Sequence, residues 1–107
     1  MRLLLLILFS PIFLFAQSTD IDDLLEKVDE LNGVEKADVL FEIGNILMDE
    51  EYDEAIINFS EAYELYEKYE SKYQIHYVEA KLAYIYIKKG DFKQAEKFLK
   101  QAYPFFI

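Results

Sequence analysis

Few side chains in this sequence are of the kinds that do chemistry, and their spacing excludes most of the reactions they suggest. There is no cysteine, which removes disulfides, zinc–thiolate sites and thiol nucleophiles. The single histidine, His76, rules out any site that needs two imidazoles and sits beside aromatic neighbours. Ser60 and Ser71 therefore have no His–Asp constellation to activate them. The acidic run Asp49-Glu50-Glu51-Tyr52-Asp53-Glu54 lacks the alternating ligands, central glycine and distant glutamate of a calcium loop. Carboxylates at a helix start are favoured by the positive end of its dipole, so the run reads as a solvated turn. Asn58-Phe59-Ser60 matches a glycosylation sequon, but it falls inside a predicted helix with Phe59 in the core. The acids all fall between apolar stripes, as surface positions, and define no cleft that would hold a catalytic pair. The residues point to a non-catalytic chain without cofactor or metal.

What remains is a question of which elements these residues sit on. Apolar side chains recur at helical spacing throughout. Ile21, Leu24, Leu25, Val28 and Leu31 form one stripe, closed by Asn32-Gly33. Val39, Leu40, Ile43, Ile46 and Leu47 form the second. The third runs through Tyr52, Ala55, Ile56, Phe59, Ala62, Tyr63 and Tyr66, and continues to Tyr69 or Tyr73. Tyr77, Ala80, Ala83, Tyr84 and Ile87 form the fourth, ended by Lys89-Gly90. Phe92, Ala95, Phe98, Leu99, Ala102 and Tyr103 form the fifth, stopped before Pro104. Asp91 with Gln94 resembles a capping box at its start. The spacing predicts an all-α chain with helices near 20–31, 35–48, 52–72, 75–89 and 92–103. At 107 residues and 53% apolar content it makes one small domain with a core. A net charge of −10, with the only arginine at Arg2, argues against nucleic acid as a partner.

The amino end has a different character. Met1-Arg2 precedes thirteen uncharged residues, Leu3 to Phe15, then Ala16-Gln17-Ser18. This is the pattern of a secretory leader, with cleavage after Ala16 and export to the periplasm or medium. The competing reading is an uncleaved membrane anchor. A span needs about 20 apolar residues, and Pro11 interrupts this one.

The later helices repeat. A shift of 40 residues lays Tyr52-Asp53-Glu54-Ala55 on Phe92-Lys93-Gln94-Ala95, Phe59 on Leu99, Ala62 on Ala102 and Tyr63 on Tyr103. In the preceding helices a shift of 39 lays Ile43-Gly44 on Leu82-Ala83 and Leu47 on Tyr86. Two helical hairpins of one design thus stand in tandem, 34–73 and 74–107, after an amino-terminal helix in 17–33. Small residues fall where helices approach closely, and aromatics fill the gaps between them.

LAYIYIKKGDFKQAEKFLKQAY, Leu82 to Tyr103, resembles a tetratricopeptide repeat. Leu82-Ala83 and Tyr86 match its first helix, Gly90-Asp91-Phe92 its turn, and Ala95, Leu99 and Ala102 its second helix. The copy from Ile43 to Tyr63 is similar but lacks the turn glycine. The resemblance implies a non-catalytic α-solenoid that binds a partner protein or peptide in a groove formed by the first helices. Carried over by position, the groove would present Asp38, Phe41, Asn45, Met48 and Asp49 on the first hairpin, and Tyr77, Ala80, Tyr84, Ile87 and Lys88 on the second. Lys88 is the one base among them. An extended or helical peptide therefore suits the groove better than a carboxyl-terminal peptide held by several bases.

Two further features bear on association. Residues 17–67 hold 17 acids and two lysines, whereas 68–107 hold four acids and eight lysines. Such opposed halves suit head-to-tail self-association, or an acidic partner on the second hairpin and a basic one on the first. Phe98, Tyr103, Phe105 and Phe106 would form an exposed carboxyl-terminal patch, available for self-association through the last helix. The leading reading is an exported interaction module. The alternative is a sensing or scaffold segment at the front of a longer membrane-bound regulator, as in repeat-bearing sensor kinases.

Overall fold

The computed structural model describes residues 21–106; the leader and its cleavage site lie outside the described residues. Among the described residues five helices succeed one another: α1 (Ile21–Val28), α2 (Gly33–Leu47), α3 (Tyr52–Lys68), α4 (Lys72–Lys89) and α5 (Phe92–Phe106). No strand occurs among the described residues, and no described helix is long and apolar enough to cross a membrane. Each helix packs on its neighbour in sequence, α1 on α2, α2 on α3, α3 on α4 and α4 on α5. The result is the tandem helical hairpin architecture expected from the repeat: α2–α3, then α4–α5.

The core runs along this stack. Leu40 and Ile43 of α2, Ala55, Phe59, Ala62 and Tyr66 of α3, and Val78, Leu82 and Ile85 of α4 are buried together, with Leu24 and Val28 at one end. Close approach is set by small residues. A Cβ on Gly44 would lie 2.7 Å from the Phe59 ring, so the α2–α3 crossing requires glycine there.

Helix ends differ from the periodicity at three places. The third stripe does not run to Lys72. α3 stops at Lys68, and Glu70 turns left-handed (φ 55°), with Ser71 N–H returning to Tyr66 O and Glu70 N–H to Glu67 O. Without a glycine, and with Tyr69 and Tyr73 extending the apolar period, nothing local marks this turn; α4 begins at Lys72 as a result. The same closure after α4 uses Gly90 (φ 85°), with Asp91 N–H to Tyr86 O. α1 is shorter than expected, because Glu30 N–H and Leu31 N–H bond only three residues back and end it at Val28.

The fifth helix runs through Pro104 instead of stopping before it. Proline there removes one backbone donor. Aromatic contacts of the next two residues hold the turn. Phe105 stacks on His76 at 4.4 Å and meets Tyr73 edge-on at 5.5 Å, while Phe106 meets Tyr77 at 5.3 Å. At the start of α5 the Asp91 carboxylate accepts the Gln94 N–H (3.2 Å), one half of the expected capping box.

Candidate functional site

A cavity of about 390 Å³ opens between α2 and α4. Asp38, Phe41 and Asn45 line it from α2, Gln74, Tyr77 and Lys81 from α4, and Tyr66 reaches in from α3. On each of the two first helices the residues are spaced three and then four apart, which puts them on one face. Tyr66 Oη donates to Asp38 Oδ1 at 2.5 Å, fastening the carboxylate in place. Burial, then this bond and the Asp38 charge, push the Tyr66 hydroxyl well above its ordinary range, so it stays a donor. Phe41 packs edge-on against the buried Phe59 ring at 5.4 Å and turns its remaining surface to the cavity.

Asn45 is the informative member. Its Oδ1 is buried and has no hydrogen-bond partner among the described residues. An acceptor in that state leaves a desolvation cost uncompensated until a donor arrives. Across the cavity Lys81 and Gln74 carry side-chain donors. Asn45, two residues with side-chain donors and the rings of Phe41 and Tyr77 thus line one cavity.

Of the groove residues carried over from the repeat pattern, Asp38, Phe41, Asn45 and Tyr77 meet at this cavity. Met48, Asp49, Tyr84, Ile87 and Lys88 do not line it. Met48 and Asp49 lie in the turn just past α2, and Tyr84, Ile87 and Lys88 lie toward the end of α4; Tyr84 Oη donates to Asp49 Oδ1 at 3.4 Å and Lys88 Nζ stands 5.5 Å from the Tyr84 ring centre. Met48 is half-buried against the core, and Ile87 is exposed. The repeat pattern does not bring in Gln74 and Lys81, although their positions three before and four after Tyr77 are a legible signal. Tyr66 carries none, because its place in the α3 stripe reads as core.

The acids are not all on the surface. Glu79 is 3% exposed, on the buried side of α4. Its carboxylate accepts the Tyr63 hydroxyl (3.0 Å) through Oε2 and His76 Nδ1 (2.8 Å) through Oε1. Burial and this bond also drive the Tyr63 hydroxyl upward in pKa. The lone histidine is thus a structural ligand of a buried carboxylate, which a charge count along one helix does not show.

The carboxyl-terminal patch needs correcting in two of its four members. Phe98 turns inward, stacked on Tyr86 (5.9 Å) and edge-on to Tyr63 (6.4 Å), and Phe105 is half-buried on His76. Tyr103 and Phe106 are exposed, and Phe92 and Leu99 join them.

The family model of the tetratricopeptide repeat matches residues 35–107, both hairpins and most of the chain. This chain is a tetratricopeptide repeat protein. No curated protein and no solved structure matches it. Tetratricopeptide repeats are generally non-catalytic protein–protein interaction modules, and the cavity here lies between the first helices of its two repeats.

Proposed function

We propose that this chain is an exported, non-catalytic module that binds a peptide or helix of a partner protein in the groove between α2 and α4. Asn45 carries this reading: it lines an aromatic cavity with its Oδ1 buried and unpartnered, and a peptide N–H supplies what the oxygen lacks once the amide turns toward the cavity. Phe41 and Tyr77 receive an apolar side chain of the same segment, and Lys81 and Gln74 meet its carbonyl oxygens. Export rests on the apolar Leu3–Phe15 stretch and the small residue Ala16 that follows it.

Peptide-display selection on the chain tests the groove. Selected peptides are expected to share an apolar anchor and to lose about tenfold or more in affinity against Asn45→Ala and Tyr77→Ala. Peptides that bind both variants as tightly as the parent would move the site off this groove. Amino-terminal sequencing of protein from the extracytoplasmic fraction tests export: a start at Gln17 is expected, and an intact Met1 start would oppose it.

A further inference from the structure

Because the hairpins share one design, a face that one covers and the other leaves open indicates what would cover it. Under the 40-residue offset, Tyr52, Phe59, Tyr63 and Tyr66 of α3 correspond to Phe92, Leu99, Tyr103 and Phe106 of α5. In the first hairpin α4 lies over α3, and Phe59 and Tyr66 are buried while Tyr52 and Tyr63 are half-buried against the core. Over α5 lies no further described helix, and the four matching residues are 66, 45, 65 and 48% exposed. Their spacing of seven, four and three residues sets them along one flank of α5. Phe106 joins that flank to Tyr77 of α4.

Two properties of the covered interface specify the missing cover. First, Tyr63, at the place Tyr103 holds in the next hairpin, donates its hydroxyl to a carboxylate of the covering helix, Glu79. Second, the covering helix places a cation on an acid of α3: Lys89 of α4 pairs with Asp53 at 2.5 Å. At the place of Asp53 the next hairpin holds Lys93. α5 has reversed sign, with Lys93, Lys97 and Lys100 against Glu96. The matching cover is therefore a helix with an apolar stripe, acidic flanks and one carboxylate in the register of Glu79.

We infer that the Phe92–Leu99–Tyr103–Phe106 flank of α5 is a second docking surface, distinct from the groove, for an acidic amphipathic helix of a partner protein, one carboxylate of which accepts the Tyr103 hydroxyl. In a second copy the helix equivalent to the cover, α2, is already held between α1 and α3, and α1 spans only eight residues, against the fifteen from Phe92 to Phe106.

The test uses two labelled peptides with the α4 sequence Lys72–Lys89, one unaltered and one with Lys72, Lys81, Lys88 and Lys89 all replaced by Glu. Each is titrated into the full chain at low salt. The acidic peptide is expected to bind about tenfold more tightly or better, with the advantage shrinking as salt is added. Leu99→Asp should abolish binding, and since Leu99 is half exposed the helicity should persist. Lys93→Glu with Lys100→Glu, both exposed on α5, provides a second variant and should remove the preference for the acidic peptide. Tyr103→Phe should weaken binding by about tenfold, and Glu79→Gln in the peptide should add nothing further to that loss. The groove variant Asn45→Ala should leave this binding unchanged, so failure here and failure of the groove are told apart. Equal affinity for the two peptides, insensitivity to Leu99→Asp, or loss on Asn45→Ala would each overturn the assignment. So would a dimer of the chain that Leu99→Asp dissociates, or a following helix of the same polypeptide that already shields Tyr103.

Discussion

The first hairpin, α2–α3, and the second, α4–α5, repeat one pattern of small and large residues, yet among the described residues one is enclosed and the other half open. Gly44 sits against Phe59 in the first, and the matching positions in the second hold Ala83 and Leu99. Phe59 is fully buried because α2 lies under it and α4 over its hairpin, whereas Leu99 remains half exposed. Tyr63 spends its hydroxyl on Glu79 of the next hairpin, and Tyr103 stands exposed. In a stack of this kind a residue's worth depends on the neighbour beyond its own hairpin. Equivalent sequence positions are therefore unequal in energy.

The largest test of that inequality is truncation at the paired positions. Phe59→Ala should cost about 3–5 kcal/mol in urea unfolding, as for a core aromatic, and Leu99→Ala about 1 kcal/mol or less. Equal losses would break the comparison and mean that α5 is covered as α3 is. Next comes Glu79→Ala, which strands the Tyr63 hydroxyl and His76 at the junction of the hairpins. It should cost about 2–3 kcal/mol, against a negligible change for Glu96→Ala on the open face. Substituting Gly44 with Ala should destabilise by about 1–2 kcal/mol, overpacking against Phe59 outweighing the better helix propensity. The loss should be relieved in the double variant with Phe59→Leu, which copies the Ala83 and Leu99 pair; full additivity in the cycle would show that the ring is not what glycine makes room for.

The smallest effect at neutral pH is one that appears only in alkali. Tyr63 and Tyr66 hold their protons above the ordinary tyrosine range of about 10. Below that pH folded and unfolded chains both keep these protons, and the contribution is complete. Above it the unfolded chain releases them first, so stability falls as pH rises. The unfolding midpoint should decline beyond about pH 10, and the double variant Tyr63→Phe and Tyr66→Phe should flatten the decline. An unchanged slope would assign the decline to other groups.

Much of this fold was legible without coordinates. Helical spacing located the five described helices, and the 39- and 40-residue offsets located both hairpins, because each signal is local or a comparison of one segment with another. The lining of the cavity was legible in half. Asp38, Phe41, Asn45 and Tyr77 come from repeat register, but register says which face a residue occupies and not where two faces come close enough to make a cavity. The turn at Glu70 and the passage of α5 through Pro104 were hidden for a related reason. Each runs against a local preference, and each is held by bonds or rings that sit elsewhere in the chain.

By itself, then, the sequence determined the all-α class, the tandem repeat, the absence of thiol chemistry and the opposed charges of the two halves. Those properties need only composition and period. The tertiary structure alone decided that Glu79 is buried between Tyr63 and His76, that Tyr66 fastens Asp38, that Asn45 Oδ1 has no partner among the described residues, and that Phe98 turns inward while Leu99 does not. Burial and hydrogen bonding are set by which helix lies across which. That depends on contacts between residues far apart in the chain, such as Asp38 and Tyr66 at a separation of 28, and no local window contains them.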